Sequence, residues 1–344
     1  MSFKNKNLDL TIPDRKLNLA KKIIIVDGMI GGGKNLLSSI FSSLPNVEMW
    51  IHRPHIEQVC ALHHLGHLSI DAAKALINTW LEEDILNQNM SRNVNFKPSD
   101  ISSIFFDARR LRYFKRLFKS PQKAKESVEK ERPILNLMTH VNTSYAKPLF
   151  EAIGQSLVYV RVSRHPMTID MLKHNMKWTE RWGVDDRHGY ILYKSFDQNN
   201  NFVHLPFFAK NIEKDYLVSN PTDRSILLFD QWIRKGDEFI DKIKLTSRAK
   251  IIEIPFEKFV FEPEKYIEEI AMSLEVKPDK KTNKMMRKHN VPRSSLSNEL
   301  KDRSRISEIF SQGRSFAAKS ASSKVLSMLD KLAEDYEERH NIKI

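Results

Sequence analysis

The sequence predicts an α/β fold: a central, mostly parallel sheet flanked by helices and carrying helical insertions. Two observations carry this. Ile23-Ile24-Ile25-Val26 sets four β-branched residues in a row, as in a strand buried on both faces of a parallel sheet. Directly after it, Gly28-Met29-Ile30-Gly31-Gly32-Gly33-Lys34-Asn35 holds four of the chain's ten glycines and leads into a helical pattern. Strand, glycine loop and helix in that order suit a nucleotide-binding α/β domain.

The elements follow in order. Residues 1–20 read as a polar, basic extension ahead of one domain over 21–344. After the loop, Leu36 to Ser43 is helical and Leu44-Pro45-Asn46 ends it. Val47 to Ile51 reads as a short second strand. A helical insertion spans about 56–130, with one pattern from Ile56 to about Met90 and another from Ser102 to Lys119. In the second, Arg109, Arg112 and Arg116 share one helical face, read as solvated or as an anion-binding surface. Pro133–Met138 is a third strand. Leu157–Val162 is a fourth, running into Ser163-Arg164-His165-Pro166. Asp185–Asn220 has no steady period and reads as a long loop or lid, about 185–220. Ser225–Ile243 is a helix, Lys250–Ile254 a strand and Glu264–Leu274 a helix. Lys277–Gln312 is polar and basic, a loop by composition. A final amphipathic helix over about 322–338 carries Val325, Leu326, Leu329, Leu332 and Tyr336 at helical spacing. Neither an internal repeat nor a shift in composition marks a second domain.

Composition removes whole classes. At 344 residues, 41% hydrophobic and 29% charged, the chain is long and apolar enough for a large core, which excludes wholesale disorder. Fourteen prolines against ten glycines exclude collagen-like sequence. The 56 basic and 43 acidic residues leave a net charge of +13, which favours an anionic partner. Cys60 is the single cysteine, so no intrachain disulfide framework exists. No run of 18 apolar residues predicts a membrane span. Met1–Lys22 lacks the apolar stretch of a secretory signal, so a soluble cytoplasmic protein is expected.

Gly28-x4-Gly33-Lys34 fits a phosphate-binding loop, which makes the chain a single P-loop domain. Glycines let successive backbone N–H groups converge on phosphate oxygens, and the helix N-terminus adds partial positive charge. Gly28, Gly31, Gly32, Gly33, Lys34 and Asn35 are the candidate anion-binding residues. Asn35 stands where nucleotide hydrolases place a Ser or Thr for Mg²⁺, which favours a donor that needs no metal.

Beyond the loop, the chain shows Pro45-Asn46-Val47, a strand ending in Arg164-His165-Pro166, then Pro255-Phe256-Glu257-Lys258-Phe259 and Glu262-Pro263-Glu264 before a helix. Over about residues 23–275 this resembles the sulfotransferases that use 3′-phosphoadenosine-5′-phosphosulfate (PAPS). The resemblance implies that the loop holds the 5′-phosphosulfate and that Arg164 meets the 3′-phosphate. It also implies that Arg293, in Asn290-Val291-Pro292-Arg293, comes from a loop covering that phosphate. The match has departures. Gly31–Asn35 lacks the family's hydroxyl donors, and Leu172 stands where a phosphate-binding serine is usual. Lys173 or His174 is left to take its place.

Transfer to a hydroxyl or amine needs a base. His140, in Met138-Thr139-His140-Val141, resembles the family's Lys-Thr-His segment. His52 lies just past the second strand, where the protein-tyrosine branch places a glutamate; His55 and Glu57 are further candidates. Lys34 has a second role open to it, stabilising charge on the leaving phosphate. His63-His64-x-x-His67 lacks a completing ligand, so no metal site is expected. Phe207, Phe208, Trp178 and Trp182 either line an acceptor pocket or pack a core. The expected acceptor is a small molecule, carbohydrate or other hydroxyl-bearing compound, with no nucleic acid. The final helix leaves a homodimer open. A Mg²⁺–ATP kinase and a non-catalytic nucleotide-binding protein are the competing readings.

Overall fold

The computed structural model describes residues 19–181, 191–293 and 303–342. Seven strands are present among them: β1 (Ile23–Gly28), β2 (Ile51–His52), β3 (Leu135–Met138), β4 (Leu157–Ser163), β5 (Leu192–Phe196), β6 (Phe202–Pro206) and β7 (Lys250–Pro255). Five form the central sheet in the order β2-β3-β1-β4-β7, with every pairing parallel. β5 and β6 make a separate antiparallel hairpin.

β1 is buried throughout, and its residues divide by parity. Ile23 and Ile25 pack into the core on one side of the sheet, Ile24 and Val26 into the core on the other. The second core is covered by helices Lys34–Ser42, Pro263–Ser273 and Lys280–Lys288. The first is covered by Pro54–His64, Ile70–Asn89, Lys147–Ile153, Ile169–Arg181, Pro221–Thr246 and Ser323–His340. An unbroken β-branched strand is therefore what a sheet covered on both faces demands.

Register then sets the site. Val26 lies beside Met138, Gly28 beside Val162, His52 beside Met138 and Ser163 beside Pro255. All five strands thus end on one edge, and the chain leaves that edge through Gly28–Lys34, His52, Thr139–His140, Arg164 and Phe256. Open parallel sheets bind ligands at this carboxyl edge.

Several elements differ from the sequence pattern. The expected Val47–Ile51 strand is a single bridge from Val47 to Ile134 and then the two-residue β2. Between them the backbone turns to side chains: Met49 N donates to Tyr113 Oη at 2.7 Å and Trp50 N to Ser42 Oγ at 2.9 Å. The Ile56–Met90 pattern is two helices, parted at Gly66 (φ 79°) and restarted by Ser69, whose hydroxyl accepts from Ala72 N. Ser102–Lys119 is helical only over Leu111–Arg116, after a 3-10 turn at Ile104–Phe106.

The arginine face is internal, not solvated. Arg116 clasps buried Glu48 with two bonds of 2.8 and 2.9 Å, Arg112 donates to Val47 O at 2.7 Å, and Arg109 pairs with Asp279 at 2.6 Å. Of the expected lid, 185–190 lie outside the described residues. The remainder is the β5–β6 hairpin, a 3-10 turn at Phe207–Ala209 and helix Glu213–Val218. The polar stretch from Lys277 contains helices Lys280–Lys288 and Arg303–Ala317, because Met285 and Met286 bury one face of the first. The final helix runs Ser323–His340 and buries Leu329, Leu332 and Tyr336 in its own domain, so the apolar stripe proposed as a dimer seam is already covered. No helix among the described residues is long and apolar enough to cross a membrane.

Candidate active site

The glycine loop is shaped by backbone needs. Gly31 and Gly33 sit at φ 79° and 95°, left-handed conformations that favour glycine. A Cβ on Gly33 would also run into the Phe256 ring. Gly33 O accepts from Leu36 N and Leu37 N and opens helix Lys34–Ser42. The Lys34 and Asn35 amides precede these bonds and lie at the positive end of the helix dipole. Asn35 is exposed.

Lys34 is buried and bends back on the loop, donating to Gly28 O at 2.8 Å and Met29 O at 2.7 Å. Burial pulls its ammonium down to about 8, against the opposing pull of the Asp27 and Glu57 carboxylates. Reaching a bound anion requires it to release those two carbonyls.

Facing the loop stand both candidate bases. His52 Nε2 lies 3.0 Å from Glu57 Oε1 and 3.1 Å from His140 Nδ1, and His140 N donates to the same Glu57 oxygen at 2.7 Å. Burial pushes the Glu57 carboxyl up, but hydrogen bonds from His140 and His52 outweigh it and hold it at about 2. Burial first, then the Lys34 charge, lowers the His140 pKa below its ordinary value, against Glu57. The shift favours the neutral, proton-accepting form of His140. His55 is apart from this cluster, edge-on to Trp80 at 4.4 Å.

Asp27 anchors the His140 loop. Its buried carboxylate accepts from Thr139 Oγ1 at 2.8 Å, Asn142 N at 3.0 Å and Thr143 N at 2.7 Å. Val141, at φ 52°, donates its N–H to Gly28 O at 3.0 Å, tying the base loop to the phosphate loop. Neither Asp27 nor the shared role of Glu57 is visible in the sequence pattern. The signal available was only an acid at the end of a buried strand and another one turn into a helix.

A second cationic group flanks the loop. Arg164 and Arg293 both lie against the Phe256 ring, with guanidinium carbons 4.8 and 5.3 Å from its centre. Arg164 donates to Gly31 O at 2.7 Å, while its buried Nε has no partner among the described residues. Arg293 is pinned by its backbone N–H to Val260 O at 2.8 Å. Burial and the Arg164 charge lower the Arg293 pKa, with Glu257 opposing. Lys173 is not part of this group. It is exposed on helix Ile169–Arg181, its Nζ 5.5 Å from the Phe316 ring, and buried Leu172 fills the core beside it.

A cavity of about 460 Å³ adjoins the histidines. His52, Glu57 and His140 form its polar end, and Ile30, Tyr145, Trp178, Phe207, Phe208 and Trp232 its apolar walls. Trp182 lies outside the described residues. Elsewhere His63 bonds to Leu68 O at 3.0 Å and His64 packs on Tyr145, so these histidines serve local structure. Among the described residues, the metal-capable side chains that converge are His52, Glu57 and His140.

No protein-family model and no curated protein matches the chain. Among solved structures it is similar to the sulfotransferase domain of the Synechococcus PCC 7002 olefin synthase, at 14% identity over 79% of this chain and 78% of that one, TM-score 0.39. It is similar also to the sulfotransferase domain of the curacin biosynthetic pathway, at 11% identity over 78% and 77%, TM-score 0.36. A third is sulfotransferase STF1 of Mycobacterium tuberculosis, at 11% identity over 79% and 72%, TM-score 0.37. Likenesses this distant say nothing of donor or acceptor, which have to be read from the side chains.

Proposed function

We propose that the protein transfers a sulfuryl group from PAPS to a hydroxyl of an acceptor with an apolar body, by in-line displacement in which no metal ion takes part. One observation carries the reading: Arg164 and Arg293 converge on Phe256 beside the glycine loop, with a buried Nε left without a partner. The two guanidinium groups repel each other, with Glu257 opposing, and they flank a loop that ends at the positive end of a helix dipole. An anion with two separated phosphate centres relieves that repulsion.

The donor would rest with its 5′ end on the Gly28–Asn35 amides and Lys34, and its 3′-phosphate between Arg164 and Arg293. It supplies an activated sulfuryl group on a phosphate leaving group. Lys34 trades its two loop carbonyls for that phosphate, and its ammonium is placed to hold the charge developing there. The acceptor hydroxyl gives its proton to the His140–His52 pair, and the Glu57 carboxylate stabilises the imidazolium that forms. Aromatic walls exclude water from the acceptor side and favour an apolar alcohol or phenol over a polysaccharide.

Calorimetric titration tests this. Adenosine 3′,5′-bisphosphate is expected to bind, undisturbed by a chelator, and more tightly than ATP–Mg²⁺. Arg164→Ala and Lys34→Ala should each weaken it by roughly 10–100-fold, the scale of a lost charge-assisted hydrogen bond. Tighter ATP–Mg²⁺ binding, or variants with unaltered affinity, would reject the donor site.

A further inference from the structure

We infer that His52, Glu57 and His140 form a binding site for one divalent transition-metal ion of the zinc class. The three candidate ligand atoms are His52 Nε2, Glu57 Oε1 and His140 Nδ1. Their separations are 3.0 Å (His52–Glu57), 3.1 Å (His52–His140) and 3.4 Å (His140–Glu57). Around zinc, with bonds of about 2.0–2.2 Å, neighbouring ligands lie roughly 3.3–3.5 Å apart in a tetrahedron and roughly 2.8–3.1 Å apart at right angles. All three edges fall within that range.

Hydrogen bonding alone serves this triangle poorly. Two ring nitrogens and one carboxylate oxygen converge, and the tautomers that carry their N–H on the opposite ring nitrogens present three lone pairs to one point. A cation at the centre satisfies all three lone pairs together. The arrangement is also held in place before any ion arrives. His52 ends β2 and pairs in register with Met138 of β3, and His140 follows two residues later. Glu57, on the neighbouring helix, fixes the His140 backbone at 2.7 Å. The charge balance permits a dication: the Glu57 and Asp27 carboxylates oppose the nearby Lys34 ammonium.

Two imidazoles with one carboxylate suit zinc, and also iron, copper or nickel, over magnesium or calcium. The histidine and glutamate side chains keep 16–33% exposure, and all three residues line the 460 Å³ cavity, which leaves a fourth coordination position for water or a small ligand. Where the sulfuryl-transfer reading holds, an ion here occupies the lone pairs that would receive the acceptor's proton. It therefore acts as an inhibitor.

The test is metal binding to the full chain, without donor or acceptor. Metal-free protein titrated with Zn²⁺ should take up one equivalent, and Co²⁺ should give the visible absorption of a low-symmetry site of four or five ligands. His52→Ala and His140→Ala should each lower Zn²⁺ affinity by at least about 100-fold, beyond the roughly 10–100-fold of losing an outer partner. Glu57→Gln, which keeps the shape, should do likewise, with circular dichroism confirming the fold. A His63→Ala/His64→Ala variant should bind as the parent does. No saturable Zn²⁺ binding, or binding that survives both His52→Ala and His140→Ala, would overturn the site. Adenosine 3′,5′-bisphosphate affinity, measured on the same samples, reports on the donor reading separately.

Discussion

The two ends of helix Lys34–Ser42 treat cations in opposite ways. At its C-terminal end Arg109 donates to Ser43 O at 3.0 Å and pairs with Asp279, while Arg112 and Arg116 surround Glu48. Positive charge there complements the negative end of the helix dipole, and each arginine has an acidic partner. At the N-terminal end Lys34 donates to carbonyls, with the Asp27 and Glu57 carboxylates nearby, and Arg164 and Arg293 share one aromatic ring. Neither arginine forms an ion pair among the described residues. Positive charge there adds to a positive dipole end. One end is a finished structural network; at the other the two arginines lack such acidic partners among the described residues, and in the proposed function a bound anion would supply the balance.

The largest expected effect falls on turnover beside the unbalanced end. His140→Ala should lower the transfer rate by about 10²–10⁴-fold, the usual contribution of a positioned base, with the bisphosphate affinity retained. The pH profile sharpens the point. His140 has a lowered pKa, so its neutral, proton-accepting form persists below the ordinary histidine value, and the acid limb should lie there. Lys34 loses its proton near about 8, so activity should fall above that pH. In His140→Ala the alkaline limb should remain and the acid limb should move. A wild-type profile flat from pH 5 to 10 would remove both groups from the reaction.

Next comes stability at the balanced end. Arg116→Ala strips buried Glu48 of its bidentate partner, and breaking such a pair costs about 3–5 kcal/mol. Urea unfolding should register the loss, while nucleotide affinity of the folded protein stays put. Burial raises the Glu48 carboxyl, but Arg112 and Arg116 outweigh it and bring it from 4.5 to about 2. Its contribution to stability is therefore complete above about pH 4.5 and is lost as pH falls towards 2. Arg116→Ala should flatten that acid dependence. Should Arg116→Ala instead weaken nucleotide binding at unchanged stability, the two ends would have been assigned the wrong way round.

How much of this is legible in the sequence follows the range of the physics. Ile23–Val26 and the glycines announce the buried strand and loop because both signals are local: an unbroken β-branched run and residues able to adopt positive φ. The Lys34, His52, His140 and Arg164 positions follow from where strands end. What depends on partners far along the chain is hidden. The Arg109, Arg112 and Arg116 pattern has the spacing of a solvated face, yet Glu48 and Asp279 draw those side chains inward from 68 and 170 positions away. Glu57 stands among the candidate bases in the sequence, but its role as the shared partner of both histidines is hidden for the same reason, since it comes from His140, 83 residues on. The hairpin at 192–206 escapes a periodicity search because its strands are short and half exposed.

The smallest expected effect tests whether position in a motif or position in space decides function. By motif counting, Lys173 stands beside the site of a missing phosphate-binding serine, and on that ground it is a donor ligand. In space it lies on the exposed face of helix Ile169–Arg181, its ammonium resting over Phe316 rather than with Arg164 and Arg293 around Phe256. Lys173→Ala should therefore shift bisphosphate affinity by less than about 2-fold, within the ±0.5 kcal/mol of an ordinary surface substitution. Salt should weaken the parent and the variant alike, because the charges that matter are retained in both. A loss comparable to that of Arg164→Ala would mean that the helix carrying Lys173 turns its other face to the donor when ligand binds. The pairing of Arg164 with Arg293 would then no longer define the 3′ end of the site.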